Sequence, residues 1–282
     1  MQTLRRPLHL GPTFIEASFA APTLLREPRE VRVRRSTILG LSVLVVALSA
    51  ACEGGESPST GPAARAELPR GSEPFTLDPA DFTTEIDNPY WPMRPGSRWV
   101  YGETDAEGNV QRNDVTVTQR TKTISGIEAV VVHDVVREEG EVTEDTFDWY
   151  AQDAHGNVWY LGEDTREYEH GKLKTTEGSW EAGVDGALAG IVVPARPRPG
   201  LTYREEYYEG HAEDGAQTLT LNAHAQVPYG TFDHMLQTRN FSPLEPDVVE
   251  EKLYARGVGV VLELTVSGGS DRSELLSFER GR

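Results

Sequence analysis

The chain of 282 residues has a single cysteine, Cys52, so no intramolecular disulfide or clustered-thiol metal site can form. It also lacks the roughly 20 consecutive apolar residues that a membrane-spanning helix requires. The longest apolar run, residues 38–50 (ILGLSVLVVALSA), is shorter than that and is followed closely by Glu53 and Glu56. None of the seven histidines falls in the H-x-H or H-E-x-x-H spacing of a local zinc site. Ser125, Ser179, Ser242 and Ser267 stand outside any G-x-S-x-G elbow, so no nucleophile comes with its usual turn. Basic residues are few, 27 Lys and Arg against 45 Asp and Glu, for a net charge of −18. A surface of that sign repels nucleic acid and anionic headgroups and suits cationic partners or divalent ions. No long helical stripe with caps occurs after residue 75.

The apolar run follows Arg29, Arg32, Arg34 and Arg35 and ends in small residues, the order of a secretory signal. Leu48-Ser49-Ala50-Ala51-Cys52 resembles a bacterial lipobox, which implies a diacylglyceryl group and palmitate on Cys52 and cleavage after Ala51. Ser49 stands where that box usually carries Leu, Val or Ile. The alternative is ordinary cleavage that leaves a thiol at the new N-terminus. Residues 1–51 thus read as leader and lipoprotein signal peptide, and residues 1–30 as the product of a mis-assigned start, with translation expected near Val31. The leader takes with it seven Arg and three acidic residues, leaving 20 basic and 42 acidic residues and a charge of −22.

Residues 52–74 are rich in Gly, Pro, Ser and charge and read as a lipidated cysteine with a flexible linker; residues 75–282 form one domain. Within it, short runs rich in β-branched and aromatic residues recur between Gly, Asn, Asp and Pro. They fall at 98–103, 114–118, 127–136, 145–150, 157–161, 201–208, 217–227, 231–239, 250–254, 258–266 and 273–278. The pattern predicts an all-β fold, a single antiparallel meander curved strongly into a sheet or half-open β-barrel. Two turns share nearly the same spelling, Asp105-Ala-Glu-Gly-Asn-Val and Asp153-Ala-His-Gly-Asn-Val, and each should close a hairpin. The segment 183–200, ending in Pro194-Ala-Arg-Pro-Arg-Pro-Gly200, reads as the longest loop. In 217–227 one face collects Leu219, Leu221, Ala223, Ala225 and Val227 and the other collects Thr218, Thr220, Asn222, His224 and Gln226.

The stretches 89–101 (PYWPMRPGSRWVY), 148–160 (DWYAQDAHGNVWY) and 254–259 (YARGVG) resemble a family of uncharacterised secreted bacterial lipoproteins. That likeness implies export and fold and carries no activity. More distantly, the G-x-x-W-x-Y strand and the meander resemble lipoprotein carriers of the LolA and LolB type, which implies a groove for acyl chains. The helical cover of such carriers has no counterpart in the sequence.

Trp99, Tyr101, Trp149, Tyr150, Trp159 and Tyr160 are the candidate ligand-lining residues, with core packing as the competing role. Acidic clusters around Glu138, Glu163 and Glu205 read as solvated hairpin edges, since none continues into a calcium loop. No catalytic residue, metal ligand or cofactor is assigned. The leading function is a lipid-anchored extracytoplasmic binding protein whose aromatic-lined concave sheet takes an amphipathic or lipid-like ligand. Its partners would be the membrane, through the anchor, and a lipid-like ligand or cell-envelope protein; nucleic acid is excluded. An interaction or scaffold lipoprotein and a hydrolase of envelope polymers stand as alternatives.

Overall fold

The structure, a computed structural model, describes residues 67–282 apart from Glu107. Cys52, the signal segment and the first part of the linker lie outside the described residues. The only helical element among the described residues is a 3-10 turn, Pro79–Asp81, whose N-terminus is capped by the Asp78 carboxylate. Everything else regular is strand. β1 (Phe82–Thr83) precedes a meander of β2 (Arg98–Thr104), β3 (Val110–Ile124), β4 (Ile127–Glu138), β5 (Glu141–Asp153) and β6 (Val158–Glu169). Four shorter strands follow, β7 (Lys172–Thr175), β8 (Trp180–Glu181), β9 (Leu188–Val193) and β10 (Thr202–Arg204), and then β11 (Glu206–Tyr207). A second meander ends the chain, with β12 (Gly215–Val227), β13 (Gly230–Phe241), β14 (Val249–Ala255), β15 (Gly259–Ser267) and β16 (Arg272–Glu279).

All pairings are antiparallel, and the two meanders join where the last strand pairs with β2, Phe278 opposite Trp99. The order is β10-β12-β13-β14-β15-β16-β2-β3-β4-β5-β6-β9-β11. Its two ends, β10 and β11, are consecutive in the chain and flank Glu205, so the sheet curls into a nearly closed barrel with one unsealed seam. Closure explains why strands such as β4 are apolar on both faces: one face points into the barrel, and chain wrapped around the outside covers the other.

No backbone ladder seals the seam between β9 and β10. Arg204 reaches across it instead, donating from Nε and Nη2 to the Ala189 carbonyl at 3.1 and 2.8 Å. Its Nη1 donates to the carbonyls of Gly71 and Glu73 at 2.7 and 2.8 Å, and its own N–H to that of Pro69 at 2.8 Å. Residues 69–73, part of the expected linker, are therefore strapped to the barrel. The strap continues through Phe75, whose ring lies 5.4 Å from that of Trp159.

The two similarly spelled turns adopt the same geometry. Asp105 and Asp153 each accept the N–H of the asparagine four residues on, at 2.8 and 2.9 Å, and Gly108 and Gly156 take φ of 84° and 92°. Two expectations need correction. The segment read as one long loop contains β9, and the face assignment in β12 holds only for its second half. Register shifts between Thr218 and Ala225 turn the strand over, so that Ala223, Ala225 and Val227 are buried as expected while Thr218, assigned to the wet face, is buried as well.

Gly190 in β9 marks the tightest approach at the seam, because a Cβ there would sit 2.2 Å from the Glu205 carbonyl oxygen. Gly190→Ala must push β9 away from the segment it closes against. We expect a loss of about 2–4 kcal/mol of unfolding free energy, read as a lower urea midpoint.

Candidate functional site

Alternation along the strands sends every second side chain into the barrel, and what it sends there is unusual. From β2 come Trp99, Tyr101 and Glu103; from β5, Asp148 and Tyr150; from β14, Lys252 and Tyr254. These and their neighbours enclose a cavity of about 280 Å³. That is close to the lower end of the ~300–1,000 Å³ of small-molecule sites.

One part of the lining is aromatic. Tyr150 and Tyr160 face each other across β5 and β6 and stack at 4.9 Å, and Trp91 lies 5.5 Å from Tyr150 and 6.2 Å from Tyr254. The polar ends of the rings are satisfied: Trp99 Nε1 donates to the Val258 carbonyl at 2.8 Å and the Tyr101 hydroxyl to that of Val260 at 3.0 Å.

The other part is a belt of carboxyl groups. Along one row of the sheet, Lys252 stands opposite Glu263, Glu263 opposite Ser273, and Ser273 opposite Glu103. The Lys252 ammonium lies 3.5 Å from Glu263, and Ser273 donates to Glu103 at 3.3 Å. Asn113 carries the belt on, its Nδ2 donating to Glu103 at 3.4 Å and to Asp134 Oδ2 at 3.3 Å. Beyond it, Asp148 accepts from the Tyr160 hydroxyl at 2.7 Å and stands opposite Glu163. The seam closes the ring: Glu206 accepts from Trp180 Nε1 and Glu205 from Asn240 Nδ2, both at 2.7 Å. With Asp214 counted and Glu163 standing just outside the lining, seven carboxyl side chains line the cavity with one ammonium among them.

So many acids near one another and shielded from bulk water are pushed above the ordinary carboxyl range. Burial raises Asp134 well above the ordinary carboxyl range, with the Asp148 charge adding to it. Burial likewise pushes Asp148 to about 7, Glu205 to about 7 and Glu163 to about 8. Glu206 moves in the same direction, through burial and the neighbouring Asp214 and Glu163. Lys252 goes the other way from a lone buried amine, because Glu263 and Glu205 outweigh its desolvation and raise it. Two acceptors of the belt, Asn113 Oδ1 and Asp134 Oδ1, are buried with no hydrogen-bond partner.

Of the six ring residues singled out in the sequence, Trp99, Tyr101, Tyr150 and Tyr160 line the cavity. Trp149 and Trp159 point to the opposite side of their strands. Trp149 is covered by Lys122, whose ammonium lies 3.2 Å from the ring centroid and 2.8 Å from Glu181. Trp159 packs under Phe75 and Phe82 and donates to Asp153 at 2.8 Å. Glu205, read in the sequence as a solvated edge residue, lines the cavity, and Glu163, read likewise, stands half-buried opposite Asp148. Their signal was present in period two, since Glu205 shares a face with Tyr203, which is buried with it.

The raised acids have a stability consequence. Each binds a proton more tightly folded than unfolded, so its contribution is complete below about pH 4.5 and is lost as the pH climbs through the folded values, to about 8. The thermal midpoint of the empty domain should therefore fall by several degrees between pH 5 and pH 8. Asp148→Asn or Glu163→Gln should flatten that slope; a midpoint that rises over this interval contradicts the assignment.

No protein-family profile and no curated protein matches the chain. Among solved structures, it is similar to a Bacteroides fragilis protein assigned as exported with a YmcC-like fold, at 14% identity and a TM-score of 0.42, over 68% of this chain and 99% of that one. A Parabacteroides distasonis protein assigned as a lipoprotein is similar at 13% identity and a TM-score of 0.39, over 67% and 98% of the two chains.

Proposed function

We propose that the protein is an extracytoplasmic binding protein, held at the membrane through a lipid on Cys52, that keeps a small amphipathic molecule inside its barrel. The observation that carries this reading is the two-sided lining of the cavity, stacked rings against one part of the space and carboxyl groups with unmet acceptors against the other. A core built only for stability fills such space with aliphatic side chains, because each buried acceptor left without a donor costs about 1–3 kcal/mol. Rings provide flat apolar area for the body of a ligand. A purely aliphatic chain fits the space poorly, since it would strip the belt of water and return no hydrogen bond.

Native mass spectrometry of protein purified from its own host should show a bound small molecule that leaves on denaturation. An unliganded protein whose Trp fluorescence is unchanged by a host extract would count against the reading. The anchor is tested separately: Cys52→Ser should abolish incorporation of a palmitate analogue and move the protein from the membrane to the soluble fraction.

A further inference from the structure

Resting on that reading of the cavity, we propose that its occupant is an organic cation, a protonated amine on an aromatic or similarly flat body, with the ammonium against Asp134 and Asp148 and the body against the Tyr150, Tyr160 and Tyr254 rings.

The argument starts from what the cavity asks for. Asp134 Oδ1 and Asn113 Oδ1 are buried acceptors with no donor, so the missing group is a donor. A carboxylate or phosphate ligand brings only acceptors and negative charge into a space that already holds seven carboxyl groups. The single cation there, Lys252, is already engaged by Glu263 at 3.5 Å. A neutral donor would satisfy one acceptor and gain nothing from the carboxyl groups around it. An ammonium carries up to three donors together with a positive charge that favours the ionised form of the acids it meets.

A divalent metal ion meets the charge requirement and fails on geometry. Calcium takes six to eight oxygens at about 2.3–2.6 Å. No group of three His, Cys, Asp or Glu side chains converges in that way among the described residues. The carboxyl groups are spread around the wall on different strands, which suits a larger ion whose charge is reached from several sides. The aromatic part of the wall agrees with this independently. Ring faces attract ammonium and guanidinium groups within about 6 Å of their centroids, more strongly where water is excluded. Tyr150, Tyr160, Trp91 and Tyr254 form a connected set of such faces next to the acids. Burial raises Asp134 and Asp148 above the ordinary carboxyl range, and a cation beside them favours their charged forms, so its arrival is expected to release protons.

Three probes with a common indole body separate the chemistries: tryptamine, indole-3-propionate and 3-ethylindole, titrated calorimetrically into the full mature protein at pH 7.5. Tryptamine is expected to bind, with the anion and the neutral probe weaker by about tenfold or more. Asp134→Asn should weaken tryptamine by about tenfold and leave 3-ethylindole unchanged. Asn at position 134 keeps the shape of the side chain and an acceptor oxygen, so the variant should fold, which far-ultraviolet circular dichroism checks. Asp148→Asn, which keeps an acceptor for the Tyr160 hydroxyl, is the second variant. If 3-ethylindole or indole-3-propionate binds as tightly as tryptamine, or neither folded variant changes tryptamine binding, the cation assignment is overturned while the cavity remains a ligand site. A co-purifying molecule without an amine or guanidine has the same effect. If none of the probes binds and no small molecule co-purifies, both the assignment and the binding function fall.

Discussion

The six-residue segment from Thr202 to Tyr207 holds the molecule together as a barrel. Its first half hydrogen-bonds to β12 and its second half to β9, so one short stretch of chain serves both edges of a sheet that would otherwise lie open. Open edges invite pairing with other chains, and closure is the surest way to remove them. Between the two halves the backbone must turn, and at the turn sits Glu205. The ladder is interrupted there, and the guanidinium of Arg204 substitutes for it with a fixed fork of donors. The inward direction of Glu205 and Glu206, and hence one side of the acidic belt, follows from this bend.

The belt itself is a store of unfavourable desolvation held in place by the rest of the fold. Buried carboxyl groups are tolerable when protonated or hydrogen-bonded; burial favours the first remedy here, and named donors supply the second. Tyr160, Trp180, Asn240 and Ser273 each donate to one of the acids, and Asn113 to two. The apolar girdle of Trp99, Leu161, Ile191, Leu236 and Leu275, each nearly inaccessible to solvent, provides the burial that makes this arrangement sustainable. Proteins keep such expensive polar interiors where the groups act on something, which is why the lining carries more functional weight than the much larger acidic exterior.

How far the sequence could be read follows from what period two can and cannot convey. It located the strands of both meanders, because β-branched and aromatic residues recur between turn residues, and it located both glycine-asparagine turns that start at Asp105 and Asp153. It also tells which residues share a side: Trp99, Tyr101 and Glu103 must point together. It does not tell which side is enclosed, since that is decided when β16 pairs with β2, 170 residues apart at Glu103 and Ser273. Trp149 and Tyr150, and likewise Trp159 and Tyr160, must point to opposite sides, so only one ring of each adjacent pair can face the interior. Glu163 and Glu205 looked like edge charges because burial of an acid is rare enough that solvent is the ordinary assumption. The slip in β12 arose from bulges, which leave no mark in a string of alternating Thr and Leu.

The strap formed by residues 69–73 bears on where the folded unit begins. A composition-based boundary at residue 75 removes the Pro69, Gly71 and Glu73 carbonyls that receive Arg204, leaving a buried guanidinium with fewer acceptors at the only unsealed joint of the wall. A recombinant domain trimmed there would be weakest beside its own cavity, and crystallisation or binding work on this molecule is better begun several residues upstream.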